Sequence, residues 1–144
     1  MCSYCGCDSI ECIGRFMDEH VDLINRTGQL RRACAAADPQ GVVAAATAVD
    51  ELLGPHSRAE EAGLFAVLAE DEEFAEHIES LCQDHRDLDR LLALISSGAH
   101  ENFGAFEHAM HRHLDREDNG LFPAAAIRLA GPEWERVHDL TPSA

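Results

Sequence analysis

The chain carries one ten-residue pattern twice, as HSRAEEAGLF at residues 56–65 and as HLDREDNGLF at residues 113–122. Both copies read His-x3-Glu-acid-x-Gly-Leu-Phe. A second repeat interleaves with the first, because EHVDL at residues 19–23 and DHRDL at residues 84–88 both read acid-His-x-Asp-Leu. Four related segments in this alternating order are what two similar helix pairs of a four-helix bundle would produce.

The spacing of the apolar residues indicates an all-α fold. Alanine, leucine and glutamate dominate, and apolar positions recur with the helical period of 3.6 residues rather than the strand period of two. Long helical patterns cover about residues 9–37, 39–69, 72–95 and 102–129, and a short one surrounds Trp134. Since short connections favour antiparallel neighbours, we predict an up-down-up-down four-helix bundle. The pair Gly54-Pro55 predicts a kink or a break beside His56.

A length of 144 residues is typical of one domain. We divide it into a cysteine-rich N-terminal segment at residues 1–9, the helical bundle at residues 10–130, and a C-terminal tail with a short helix at residues 131–144.

The charge balance bears on the partners of the protein. The chain has 11 basic and 27 acidic residues, a net charge of −16 that is spread along the sequence. This balance argues against binding to nucleic acid or to anionic membranes. No segment approaches the roughly 18 apolar residues of a membrane span, and the first residues lack the pattern of a signal peptide. We therefore expect a cytoplasmic protein.

The two His-x3-Glu motifs point to a metal site. Residues four apart lie only about 40° from each other around a helix, so each motif presents one nitrogen and one oxygen ligand on the same face. Buried carboxylates are costly unless they are paired or bind a cation. A pair of metal ions would meet this need, and imidazole and carboxylate ligands suit iron, although manganese or a mixed pair stays open. The candidate ligands are His20, His56, Glu60, His85, His113 and Glu117.

Over about residues 10–130 these motifs resemble those of the hemerythrin-like, or HHE, cation-binding family. That family has the pattern His, His-x3-Glu, His, His-x3-Glu. The resemblance implies a four-helix bundle that holds two bridged non-haem iron ions. It implies that the four histidines are terminal ligands, paired as His20 with His56 and His85 with His113, and that the two glutamates bridge the ions.

One position departs from the oxygen-carrying hemerythrins, which have a second histidine one turn before the third-helix ligand. Here that residue is Leu81, and His77 lies too far away, about 12 Å along a helix from His85. Six protein ligands would leave open positions on both ions, which suits reaction with dioxygen, peroxide or nitric oxide better than reversible storage of dioxygen. Asp89 is a candidate for an added ligand, although a solvated helix residue is the simpler interpretation.

Several other residues invite an interpretation. Glu61 and Asp118 either accept hydrogen bonds from metal-bound imidazoles or are ordinary solvated acids. Gly63 and Gly120 would allow a close helix approach or leave room for a small molecule. Surface positions are expected for His100, His108, His111 and His138, and buried apolar roles for Cys34 and Cys82.

The N-terminal cysteines Cys2, Cys5, Cys7 and Cys12 leave three alternatives open. Thiolates at such spacing hold zinc or an iron–sulfur cluster in other proteins. They could also be redox-active thiols that exchange electrons or oxidation with the di-iron site. The third alternative is a flexible tail with free thiols.

These observations lead to one functional prediction and its alternatives. We expect a non-haem di-iron protein that reacts with a small oxidant, dioxygen or hydrogen peroxide ahead of nitric oxide, and the resemblance suggests a role in oxidative or nitrosative stress. Turnover as a peroxide-consuming or nitric-oxide-reducing enzyme stays open. The alternatives are an oxygen or iron sensor without turnover and a protein for iron storage or delivery.

Overall fold

The chain is helical throughout the part that the structure describes. The computed structural model describes residues 10–144, and no strand occurs in that range. Helix α1 spans Glu11–Ala35, α3 spans Glu72–Ser96 and α5 spans Gly131–Leu140. The all-α prediction is confirmed for these residues.

Helices α2 and α4 each contain a wider turn in the middle. Helix α2 consists of Pro39–Glu60, a π-helical turn at Glu61–Phe65, and Ala66–Leu68. Helix α4 follows a short 3₁₀ turn and consists of Phe103–Arg116, a π-helical turn at Glu117–Leu121, and Phe122–Arg128. Both π turns fall inside the ten-residue repeat, at or just after its glutamate. Single π turns within α-helices are frequent at functional sites.

Local sequence signals explain where the helices begin and end. The Asp71 side chain accepts a hydrogen bond from the Glu73 amide (3.0 Å) and so caps the start of α3. After α3, Gly98 adopts a φ of +112°, a conformation that glycine reaches without steric cost. Asp38 occupies the N-cap position of α2 before Pro39, but its side chain makes no capping hydrogen bond.

Of the kink or break predicted at Gly54-Pro55, the break does not occur. Helix α2 continues without interruption through Pro55 to Glu60. Pro55 cannot donate a backbone hydrogen bond. Leu53 and His56, on either side of Pro55, are both buried, and their tertiary packing holds the helix together there. The departure from α-helical geometry comes after Glu60, at the π turn.

The four long helices close on one another around two apolar clusters. Helix α1 packs on α2, α2 on α3, α3 on α4, and α4 returns to α1. One cluster collects the first half of α1 and α3 with the last part of α2 and α4, and includes Ile13, Leu64, Leu81 and Leu121. The other collects the opposite parts of the same helices, and includes Leu30, Val42, Ile95 and Phe106. The boundary between the clusters is where polar residues are buried.

Helix α5 lies outside this ring of four. It packs against the π turn of α2 and against the short segment that follows it. Its Val137 is fully buried in the first apolar cluster. Between residues 10 and 144, no helix combines the length and apolar character needed to cross a membrane.

Candidate metal centre

Six polar side chains are buried at the boundary between the two apolar clusters. Each is at most 3% exposed, and four different helices contribute them. They are the six predicted ligands His20, His56, Glu60, His85, His113 and Glu117. The structure therefore brings together all six residues that the two repeats singled out.

These side chains form two overlapping groups of potential ligands. One group contains His20 and His56, the other contains His85 and His113, and both include Glu60 and Glu117. Within each group the ligand atoms lie within 4.8 Å of one another. The Nε2 atoms of His20 and His56 are 3.2 Å apart, a separation that suits two nitrogens directed at one shared position.

Both glutamates reach from one group to the other. Glu60 Oε1 lies 3.2 Å from His56 Nε2 and also 3.2 Å from His85 Nε2. Glu117 Oε2 lies 3.3 Å from His113 Nε2, and its Oε1 lies 3.0 Å from His20 Nε2. Each carboxylate is thus placed as a bridge between the groups.

The buried polar atoms of this cluster fit a pair of cations. Both carboxylate oxygens of Glu60 and of Glu117, together with Nε2 of His85 and of His113, have no hydrogen-bond partner among residues 10–144. Six unpaired donor atoms converge in a region from which solvent is excluded, where unpaired carboxylates are costly. A set of four imidazoles and two carboxylates matches the ligand preferences of iron and of neighbouring first-row metals.

Every histidine of the cluster is held from behind by a carboxylate. Its Nδ1–H donates to that carboxylate, so that in the neutral imidazole the Nε2 lone pair faces the centre. The donor–acceptor distances are 2.7 Å for His20 with Asp118, 2.8 Å for His56 with Glu19, 2.8 Å for His85 with Glu61, and 3.0 Å for His113 with Asp84. Imidazoles oriented in this way are preorganised to bind metal.

Phenylalanine rings enclose the same imidazoles. Phe122 stacks on His20 with the ring centroids 5.7 Å apart, and Phe65 stacks on His85 at 5.6 Å. Phe16 meets the His56 ring edge-on at 5.5 Å. These rings are buried and keep water away from the centre, which strengthens the electrostatic interactions inside it.

Charge within the metal-free cluster is balanced by protons on the histidines. Burial alone would lower the pKa of His56, but the charge of Glu60 and the hydrogen bond with Glu19 raise it to about 10. The pKa of His113 also rises to about 10, against the effect of burial, because of Glu117 and Asp84.

The same balance appears at the other histidines. Against the effect of burial, contacts with Asp118 and Glu117 raise the pKa of His20 to about 9. Burial would raise the pKa of Glu117, but the neighbouring His113 and His20 hold it well below its usual range. A cation can therefore bind only by displacing protons, which makes metal affinity depend on pH.

Comparison with known proteins identifies the family. A family model described as the hemerythrin HHE cation-binding domain matches residues 13–125. The chain belongs to this family. No curated protein and no solved structure matches it.

The HHE repeat can now be explained residue by residue. In each ten-residue copy the glutamate lies between the two ligand groups, while the next acid and the final phenylalanine both contact a histidine from the other half of the chain. Glu61 and Phe65 hold His85, and Asp118 and Phe122 hold His20. Each copy thus contributes two of the six candidate ligands and holds one histidine of the other half of the chain.

Sequence reasoning missed two of the four supporting carboxylates. Glu19 and Asp84 directly precede His20 and His85, yet each bonds the histidine of the following helix, His56 or His113. The signal was present in the acid-His-x-Asp-Leu repeat, whose first acid had no assigned role. Its partner lies on another helix, so spacing within one helix could not reveal it.

The other described residues that the sequence singled out belong to neither ligand group. Asp89 is exposed and belongs to neither ligand group, in keeping with a solvated residue. Leu81 is fully buried in the first apolar cluster. His108, His111 and His138 are exposed as expected, whereas His100 is half-buried.

The cysteine alternatives are only partly addressed by the structure. Cys2, Cys5 and Cys7 lie outside the described residues. Cys12 is half-buried in the first turns of α1 and packs against the first apolar cluster, and it belongs to neither ligand group. Burial, followed by the charge of Glu60, raises the pKa of the Cys12 thiol to about 12. In the described structure this thiol is therefore protonated at neutral pH.

The two glycines of the repeat have different surroundings. A Cβ atom added to Gly63 would lie 2.0 Å from Thr141 Oγ1 and 3.1 Å from the Val137 carbonyl, because α5 packs directly on the π turn. At Gly120 such an atom would meet nothing within 4 Å. Of the two possibilities raised by the sequence, close helix approach applies at Gly63, whereas Gly120 is exposed.

Proposed function

We propose that this HHE protein holds two non-haem iron ions and reacts with a small oxidant, dioxygen or hydrogen peroxide ahead of nitric oxide. One observation carries the proposal: two buried ligand groups, one on His20 and His56 and one on His85 and His113, share the carboxylates of Glu60 and Glu117. A single ion would use only one of the groups. The shared glutamates favour a bridged pair.

The ligand count supports reaction rather than a closed structural site. Each ion would take two imidazole nitrogens and one oxygen from each glutamate, which makes four protein donors. Ions of this type use about five or six positions, so each would keep at least one position for a small molecule. When bound, the irons would supply that position and the electrons for reducing an oxidant.

The protein's own residues would prepare and protect this chemistry. The four outer carboxylates hold each Nδ1–H, so that every Nε2 presents its lone pair to the centre. The phenylalanine rings exclude water, and within residues 10–144 neither bridging carboxylate has a competing hydrogen bond. Imidazoles held in place by their outer carboxylates would need little reorientation to bind a metal ion.

Two further features of the proposal concern the setting of the centre. The helices would run up-down-up-down, since one apolar cluster combines the first half of α1 and α3 with the last part of α2 and α4, and the other cluster combines the opposite parts. The net charge of −16 supports a small-molecule oxidant over nucleic acid as the partner. We also propose a cytoplasmic location, as expected from the sequence.

The test starts with the iron content of anaerobically purified protein, followed by the optical spectrum during addition of dioxygen and then of hydrogen peroxide. We expect two irons per chain and consumption of repeated additions of hydrogen peroxide. A visible band that disappears when dioxygen is removed would instead favour a carrier or sensor.

Two variants provide the control for this test. Glu60→Gln should lose iron because it removes a bridging charge, whereas Glu79→Gln changes an exposed acid and should keep two irons. Wild-type protein with fewer than two metals per chain after reconstitution would contradict the proposal.

A further inference from the structure

Two of the four outer carboxylates are shared with an arginine. The Glu19 carboxylate accepts from His56 through Oε1 (2.8 Å) and from Arg15 Nε through Oε2 (3.2 Å). Asp84 Oδ2 accepts from His113 (3.0 Å) and from Arg116 Nη1 (2.5 Å). Within residues 10–144, the carboxylates behind His20 and His85 have no arginine at salt-bridge distance.

The two arginines come from positions that do not correspond in the repeat. Arg15 lies four residues before Glu19 on α1, and the matching residue before Asp84 is Ser80. Arg116 lies on α4, and it donates both to Asp84 and to the Ser80 hydroxyl (2.8 Å). Ser80 thus occupies the place of the first arginine and orients the second. The internal repeat therefore does not explain why an arginine contacts the carboxylate on both sides of the centre.

The burial of the two pairs is nevertheless alike. The side chains of Arg15 and Glu19 are 23% and 16% exposed, and those of Arg116 and Asp84 are 21% and 22% exposed. Partly buried charge pairs of this kind are screened less than exposed ones. The same arrangement, guanidinium to carboxylate to imidazole, therefore recurs at the same depth on both sides of the centre.

We propose that Arg15 and Arg116 are positioning residues that keep the two metal sites equivalent. The inference rests on the proposed di-metal function. One ion would then bind His56, whose carboxylate is shared with a guanidinium, and His20, whose carboxylate is not. The other ion would bind His113 and His85, which differ in the same way.

The physical reason lies in how a carboxylate polarises an imidazole. A carboxylate that accepts only from Nδ1–H raises the basicity of the histidine as a ligand. A guanidinium that shares the carboxylate withdraws part of this negative charge but fixes the orientation of the carboxylate, and we infer that the loss of orientation is the larger effect when the arginine is removed. Each ion would have one histidine whose carboxylate is shared with an arginine and one whose carboxylate is not, so the two ions would have ligands of similar strength. Removal of one arginine would make the two sites unequal.

The test is a titration of metal-free protein with Co²⁺ under anaerobic conditions, followed by its visible absorption. Wild-type protein should bind two Co²⁺ per chain with affinities within about tenfold of each other. Arg116→Gln should weaken one site by about tenfold, at the lower end of the effect of outer partners of metal-bound histidine, and so separate the two steps. Arg15→Gln should do the same for the other site.

The double variant makes the test selective. With both arginines replaced, both sites should be weakened and the two steps should merge again, which general loosening of the fold would not produce. Arg136→Gln is the matched control, because Arg136 pairs with Glu70 away from the centre. Arg116→Lys keeps the charge but not the fork that reaches Asp84 and Ser80 together, and should give an intermediate separation.

A second measurement identifies the site that changes. In the Co²⁺-loaded protein, proton NMR shows the hyperfine-shifted Nδ1–H signals of the bound histidines. Arg116→Gln should move the signal of His113 and leave that of His56 in place, and Arg15→Gln should do the reverse.

The outcomes separate this inference from the function on which it rests. Wild-type protein that does not bind a pair of Co²⁺ ions would contradict the proposed function. Wild-type binding of two ions, with arginine variants that titrate like Arg136→Gln, would overturn the inference alone. If a glutamine variant does not fold, the lysine variants decide the question, and lysine variants that match Arg136→Gln would overturn it as well.

Discussion

Burial and partners, rather than residue type, distinguish the histidines of this chain. His113 is 1% exposed and faces two carboxylates, whereas His111, two positions earlier on the same helix, is exposed. Two residues correspond to about 200° around a helix, so the neighbours face opposite directions. At this scale the helix alone determines which histidine is available as a ligand.

Replacement of these two histidines should have different effects. We expect His113→Ala to lose roughly half or more of the iron, because it removes one of four protein donors from an ion and leaves Asp84 without its imidazole. His111→Ala should retain wild-type iron. Iron content per chain, measured after identical reconstitution, distinguishes the two, and full iron in His113→Ala would remove this residue from the ligand set.

The thiol of Cys12 should be unreactive in the folded protein. Its pKa rises from 9.0 to about 12, so at pH 8 the thiolate fraction falls about 1000-fold relative to an ordinary thiol. Alkylation by iodoacetamide, followed by peptide mass spectrometry, should be slower by about this factor than in the unfolded chain. A rate within tenfold of the unfolded chain would instead support the redox-thiol alternative at this position.

At the scale of the helical elements, both π turns begin at or just after the glutamate of the ten-residue repeat. A wider turn inserts an additional residue and so changes which later side chains face the core. At the end of each repeat the chain buries a Leu-Phe pair, Leu64-Phe65 or Leu121-Phe122. The phenylalanine of each pair stacks on a histidine of another helix.

Substitution of the two repeat glycines should have opposite effects on stability. Gly63→Ala should destabilise the protein by about 1–3 kcal/mol, because the new Cβ overlaps Thr141 and forces α5 away from the π turn. Gly120→Ala meets open space and should stabilise it by about 0.5–1 kcal/mol, since alanine is the better helix former. Thermal unfolding of both variants provides the comparison, and equal effects would show that α5 is not packed on the π turn in solution.

At the scale of the whole molecule, the polar centre interrupts the apolar core. The two clusters on either side supply the burial that holds the helices together, while the centre carries two carboxylates that need a counter-charge. Without metal, protonated histidines supply that charge. With metal, the ions would supply it.

The stability of metal-free protein should therefore decrease as the pH rises. His20, His56 and His113 have folded-state pKa values of about 9, 10 and 10, above the ordinary value of 6.5. Their contribution is complete below about pH 6.5 and is lost as the pH passes through 9 to 10. The melting temperature of metal-free protein should fall across this window, and that of metal-loaded protein should fall less. Identical pH profiles would contradict this account of the charge balance.

Local patterns in the sequence predicted the helical fold and the six candidate ligands. Helical periodicity, capping signals and the interleaved repeats are local properties, and they predicted the helices to within about two residues at most ends. The internal repeat also indicated that two halves would contribute equally. Pairing within a half, such as His56 with Glu60, follows from the geometry of one helix.

The way in which the two halves meet depends on the packing of the helices. The carboxylates Glu19 and Asp84 bond histidines of neighbouring helices, and the two arginines approach from different helices, contacts that depend on helix packing rather than on spacing along the chain. Gly63 and Gly120 occupy the same position of one repeat, yet only Gly63 lies beneath α5. Equivalent sequences thus acquire different surroundings, because a helix encodes its own faces but not what packs against them.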